Sequence, residues 1–188
     1  MMLGWITSWL RPAPILASAP APDEPASVRR ARSVVGQGRY ALGRGGRAPD
    51  AATPFDRNGE ADCSGFLSWA IGLDRKSDAI DGGWISTDSI ARDATGPRRM
   101  FQLVEPGEDV RPSDVVVYPG RYVAGRRLSI GHVGLVVAVP DGWRYEGPTS
   151  LAGLRVVHCA SSRAPGGGAV RESSGAPWAR RGIVVRLR

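Results

Sequence analysis

Apolar residues recur at helical spacing in the first half of this chain and at strand spacing in the second. Within residues 26–37, Val28, Ala31 and Val35 fall on one side of a helix. A glycine-rich loop follows through Tyr40, Gly43, Gly45 and Gly46, then a polar loop over residues 50–61. Phe66, Leu67, Ala70 and Ile71 form the next one-face stripe, on a helix starting at Cys63, and a third helix begins near Ser86 or Thr87. Residues 114–118, 132–139, 155–159 and 183–187 are β-branched runs bounded by turn residues, which predicts strands. Residues 143–146 read as a hairpin partner of the second run, through the turn Pro140-Asp141-Gly142. Residues 163–178, rich in glycine, serine and proline, read as an excursion between the last two strands. Helices first and strands afterwards predict an α+β fold, with N-terminal helices packed on an antiparallel sheet.

The 188 residues are 42% hydrophobic, enough for one domain with its own core over residues 26–188. Residues 1–25 read separately. The mildly apolar run 2–10 is cut by Arg11 and Pro12 and is too short to span a bilayer. Ala17-Ser18-Ala19 has the form of a signal cleavage site, yet no positive residue precedes the apolar run. A flexible tail, a docking segment and an atypical signal all fit, with residues 20–25 as linker.

The net charge of +7 is carried almost wholly by arginine, Lys76 being the one lysine. That balance suits lingering near anionic envelope polymers or membrane surfaces. The arginines are scattered, with no basic-and-aromatic stripe, so nucleic acid is not the expected partner. Two cysteines, Cys63 and Cys159, make no disulfide framework, and there is no CxxC pair or histidine cluster for structural zinc.

Chemistry concentrates at Asp62-Cys63-Ser64-Gly65-Phe66. Asp62 is a good N-cap, leaving Cys63 in the first turn, where free N–H groups and the helix dipole favour a thiolate. The plain alternative is that Cys63 is a small buried hydrophobe. The two histidines, His132 and His158, both lie in strand-like segments, and Gly131 and Gly134 leave room for close approach beside His132. On adjacent strands the imidazoles can lie side by side with the Cys63 helix across them. One would then serve the sulfur and the leaving amine while the other holds its tautomer. Each could equally be a hydrogen-bonded core or surface residue. Trp84 and Trp143 suit a groove wall or, more plainly, the core.

Asp62-Cys63-Ser64-Gly65-Phe66, then Gly131-His132-Val133-Gly134, then His158 after a hydrophobic run, resemble the NlpC/P60 cysteine peptidases, papain-like hydrolases of bacterial cell-wall peptides. The resemblance covers most of residues 26–161. Gly38-Arg39-Tyr40 with Gly45-Gly46 is similar to the family's Pro-Tyr-x-x-Gly-Gly segment, and Arg111-Pro112-Ser113-Asp114-Val115 to its Pro-Gly-Asp-Leu segment. The resemblance implies Cys63 as nucleophile, His132 as general base and acid, and His158 as the orienting third residue. It implies Tyr40 as a donor near the oxyanion. Asp62 and Ser64 would line the groove, Asp62 meeting a free amine of a stem peptide. Plainer roles stand beside these: Asp62 capping the helix, Ser64 filling its first turn, Tyr40 packing under the loop.

The resemblance implies peptidoglycan peptides as partners, no metal or cofactor, and a place in the envelope, outside the cell or in a phage-like particle. The chain departs from the family in its long 50–61 loop, the 121–129 loop before His132, and the insertion between His132 and His158. That insertion leaves open a different polar residue in the third position. The CHAP-type amidases, which also use a Gly-His-Val strand, and a non-catalytic phage-tail or envelope-binding module are the competing readings.

Overall fold

The valine-rich runs of the second half build one sheet with both faces covered. The computed structural model describes residues 23–161 and 167–188, so the expectations for residues 1–22 lie outside the described residues. In chain order the elements are α1 (Ala26–Ser33), β1 (Arg39–Tyr40), β2 (Glu60–Ala61), α2 (Cys63–Ala70), α3 (Thr87–Thr95), β3 (Phe101–Val104) and β4 (Val115–Tyr118). There follow β5 (Arg121–Val123), β6 (Arg126–Ser129), β7 (His132–Ala138), β8 (Arg155–Cys159), β9 (Val170–Ser174) and β10 (Ile183–Leu187). Six strands form an antiparallel sheet in the order β3-β10-β4-β7-β8-β9. The short β1 and β2 pair in parallel, and β5 and β6 form a separate hairpin. The fold is α+β, as the periodicity predicts.

Strand alternation divides the core. Val115, Val117, Val133, Leu135 and Val157 face the three helices, where they meet Val28, Phe66, Leu67 and Ile90. Val116, Val136, Val156 and Val184 face the other way, against Tyr145, Leu151, Leu154 and Trp178. Each such side chain contributes about 1.5–3 kcal/mol on burial, so neither face could be left to water. Every residue of α2 is buried, which makes it the central helix of its layer. Its start is set by the Asp62 carboxylate, which accepts from the backbone N–H of Gly65. α3 is fixed by a reciprocal capping box between Ser86 and Ser89.

Four expectations change. α1 ends at Ser33, so Val35 is exposed while Val28 and Ala31 are buried as expected. Residues 143–146 add no strand. Trp143 and Tyr145 instead stack and lead into a 3-10 turn, Pro148–Gly153, that covers the second face of the sheet. The segment read as an excursion supplies β9 and the buried Trp178. β9 is a polar edge strand in which Val170 is the one buried residue, so it carries no period-two signal. The 121–129 loop is the β5–β6 hairpin. Among the described residues, no helix is long and apolar enough to cross a membrane.

Candidate active site

Asp62 is engaged on both carboxylate oxygens. Oδ1 accepts from Gly65 N at 2.7 Å and Ser64 Oγ at 3.1 Å. Oδ2 accepts from Gly43 N and Arg75 Nη2, each at 2.7 Å. A carboxylate has about four acceptor positions, and all are filled from within the protein. Arg75 is itself buried, also donates to Ser64 Oγ at 2.8 Å and Arg44 O at 2.7 Å, and lies over the Trp84 ring at 4.8 Å. This network ties the glycine loop to the start of α2. A Cβ on Gly65 would sit 2.3 Å from Arg44 O, so only glycine permits that approach. The free amine that the resemblance assigns to Asp62 finds no open oxygen. Ser64 sits inside the same network.

Cys63 is 4% exposed, and the backbone N–H groups of Val133 and Ser64 hydrogen-bond its sulfur. Burial, followed by the Asp62 charge, pushes the thiol up to about 12. The helix-start effect is present in the Ser64 N–H, but desolvation outweighs it, and Cys63 rests as a thiol. Cys159 is also free and buried, its Sγ donating to Ala61 O at 3.3 Å.

β7 and β8 are neighbours, and the two imidazoles meet: His132 Nε2 lies 2.7 Å from His158 Nδ1. His158 Nε2 lies 3.0 Å from Ser173 Oγ, on β9. The Ser173 hydroxyl donates to Ser174 O at 3.0 Å, so its oxygen can accept from His158 Nε2–H. Arg171 Nε, at 3.4 Å from the same nitrogen, is the longer contact. With Nε2 protonated, His158 Nδ1 accepts from His132 Nε2–H and His132 Nδ1 is free to take a proton; with Nε2 accepting from Arg171 Nε–H, the order reverses and His132 Nδ1 carries the proton. Trp178 stacks on His132 at 5.1 Å and meets His158 edge-on at 5.2 Å. Gly134 makes room for this, since a Cβ there would lie 2.5 Å from Val156 Cγ1 and 3.1 Å from His158 Cβ. Burial lowers His132 to about 4, with the Arg171 charge adding to it. Burial, then the charges of His132 and Arg171, lower His158 to about 3. Both rings rest neutral.

A groove of about 230 Å³ opens at Cys63, lined by Tyr40, Leu42, Trp84, Thr87 and Arg127 among others. Burial and the nearness of Cys63 and Asp62 raise the Tyr40 phenol, which therefore stays a donor. Trp84 is a groove wall rather than core, whereas Trp143 packs on the far face of the sheet. Arg75, Ser173 and Trp178 escape sequence reasoning. Arg75 is one arginine among many, Ser173 lies in a polar edge strand, and Trp178 ends a glycine- and serine-rich segment. A tryptophan in such a polar stretch is the one signal that could have been used.

No protein-family model matches the sequence. No curated protein matches it. Among solved structures the chain is similar to NlpC2 from Trichomonas vaginalis, with a TM-score of 0.46 and 16% identity over 86% of this chain and 45% of that one. The chain thus spans under half the length of that protein, and a likeness of this degree carries no argument about activity.

Proposed function

We propose that the protein is a cysteine hydrolase of the NlpC/P60 type, cleaving an amide bond in peptidoglycan stem peptides. The observation that carries this reading is the relay His132–His158–Ser173, at 2.7 and 3.0 Å, with His132 next to Val133 at the start of β7. The reaction requires His132 to come to the Cys63 sulfur, to which no hydrogen bond joins it among the described residues. His132 Nδ1 takes the thiol proton as sulfur attacks the carbonyl carbon, so the thiolate forms in the attack rather than beforehand. The Cys63–carbon bond forms as the carbonyl electrons move to oxygen, near the Tyr40 hydroxyl. Collapse expels the amine, which receives the proton from His132, and leaves a thioester. Water attacks the thioester, again giving its proton to His132, and releases the acid and the thiol. His158 holds the His132 ring, and Ser173 holds His158.

Burial of Cys63 favours a second reading, a binding module that has kept the fold without turnover. Peptidoglycan fragments incubated with wild type and with Cys63→Ala, then read by mass spectrometry, separate the two. New amine and carboxyl ends that depend on Cys63 support the hydrolase. Unchanged fragments under reducing conditions near neutral pH leave only the binding module.

A further inference from the structure

Four of the six large apolar side chains exposed among the described residues lie within ten positions of one another: Tyr122 (48%), Val123 (57%), Leu128 (56%) and Ile130 (48%). Scattered exposed hydrophobes need no explanation, but a cluster does. The same segment exposes Arg121, Arg126 and Arg127 and contains no acidic residue. It is the β5–β6 hairpin, turned by Ala124 and Gly125 at φ 46° and 76°, the two-residue left-handed turn that matches strand twist.

The hairpin is held in a fixed attitude. The Tyr122 hydroxyl donates to Asp88 Oδ2 at 2.8 Å and accepts from Arg127 Nη2 at 2.7 Å, while Gly120 N donates to Asp88 Oδ1 at 2.6 Å. Tyr122 and Arg127 are thus turned toward the first turn of α3. Strand alternation then puts Val123 and Arg126 on the outer face, and Leu128, the unpaired residue of a β-bulge in β6, is exposed beside them.

We propose that this hairpin docks on an anionic lipid bilayer, with Val123 and Leu128 entering the interface and Arg121 and Arg126 meeting headgroup phosphates. A soluble polyanion would engage the arginines alone and gain nothing from the apolar pair. A bilayer surface satisfies both at once. Arg127 and Ile130 also line the groove at Cys63, so docking sets the groove mouth beside the headgroups. The inference does not depend on the hydrolase reading.

Sedimentation of the full chain with vesicles of phosphatidylcholine, with and without phosphatidylglycerol, tests it. Binding is expected only with the anionic lipid. Arg126→Glu removes two charge units and should weaken binding by roughly 25-fold, at about fivefold per charge. Arg144→Glu makes the same change on an exposed residue beside Glu108 and Asp109, outside the hairpin, and should leave binding within about twofold by screening. Val123→Ser leaves the charge alone and should still weaken binding severalfold. Equal losses for the two arginine variants would reduce the effect to net charge and overturn the proposal. So would a neutral Val123→Ser, or retention on soluble polyphosphate without vesicle binding.

Discussion

Replacing Arg75 with methionine removes the guanidinium that pairs with the Asp62 carboxylate while keeping a long apolar stem against Trp84. Both charged groups of this pair are 3% exposed, so water cannot replace the lost partner. Asp62 keeps the donors Gly65 N, Ser64 Oγ and Gly43 N, but its charge is left uncompensated. Breaking a buried pair from one side costs about 3–5 kcal/mol. With a urea slope of about 2 kcal/mol/M, the midpoint should fall by roughly 2 M. The buried Trp69 and Trp178 report the transition by fluorescence. Asp62→Asn should also destabilise, because it strands Arg75. Arg75→Met with Asp62→Asn should cost less than the sum of the two, by about 1 kcal/mol or more, since neither charge then remains alone. A midpoint within about 0.5 M of wild type for Arg75→Met, or strict additivity in the pair, would refute the claim that this ion pair anchors the start of α2.

Acid should unfold the protein through its histidines. In the unfolded chain they titrate near 6.5, and in the fold at about 4 for His132 and about 3 for His158. Between those values the unfolded state binds more protons, so stability is full above pH 6.5 and is lost as pH falls toward 4, by up to about 1.4 kcal/mol per unit for each histidine. Urea midpoints at pH 7 and pH 5 for wild type and His158→Gln check this, and equal falls in both would contradict it. With its thiol raised to about 12, Cys63 in the folded protein should react with iodoacetamide more slowly than free cysteine at pH 8, without a plateau on the way up. A plateau near pH 6 would instead reveal a preformed thiolate–imidazolium pair. Gly134→Ala should cost roughly 1–3 kcal/mol by overpacking against Val156 and His158, read by thermal unfolding. Wild-type stability there would mean that the two strands can yield.

Sequence periodicity alone distinguished the helices of the first half from the strands of the second, because each pattern is written within one element and its buried face. Asp62 as the cap of α2 was legible for the same reason, since its capping bond is to its own first turn. The residues Cys63, His132 and His158 were also legible as candidates, from their types and from the elements carrying them. Tertiary structure decided what each one touches. Arg75, thirteen positions from Asp62, takes up the carboxylate that was expected to read a substrate amine, and no local pattern marks it. β3 and β9 are short edge strands whose buried positions, Phe101 and Val104 in one and Val170 in the other, do not alternate, so periodicity does not mark them. β9 nevertheless brings both Ser173 and Arg171 to His158 Nε2. The charge state of Cys63 also reverses in the fold. A helix start lowers a thiol's pKa by local dipoles, whereas burial raises it through everything packed around it, and only the assembled layers fix how much water is excluded.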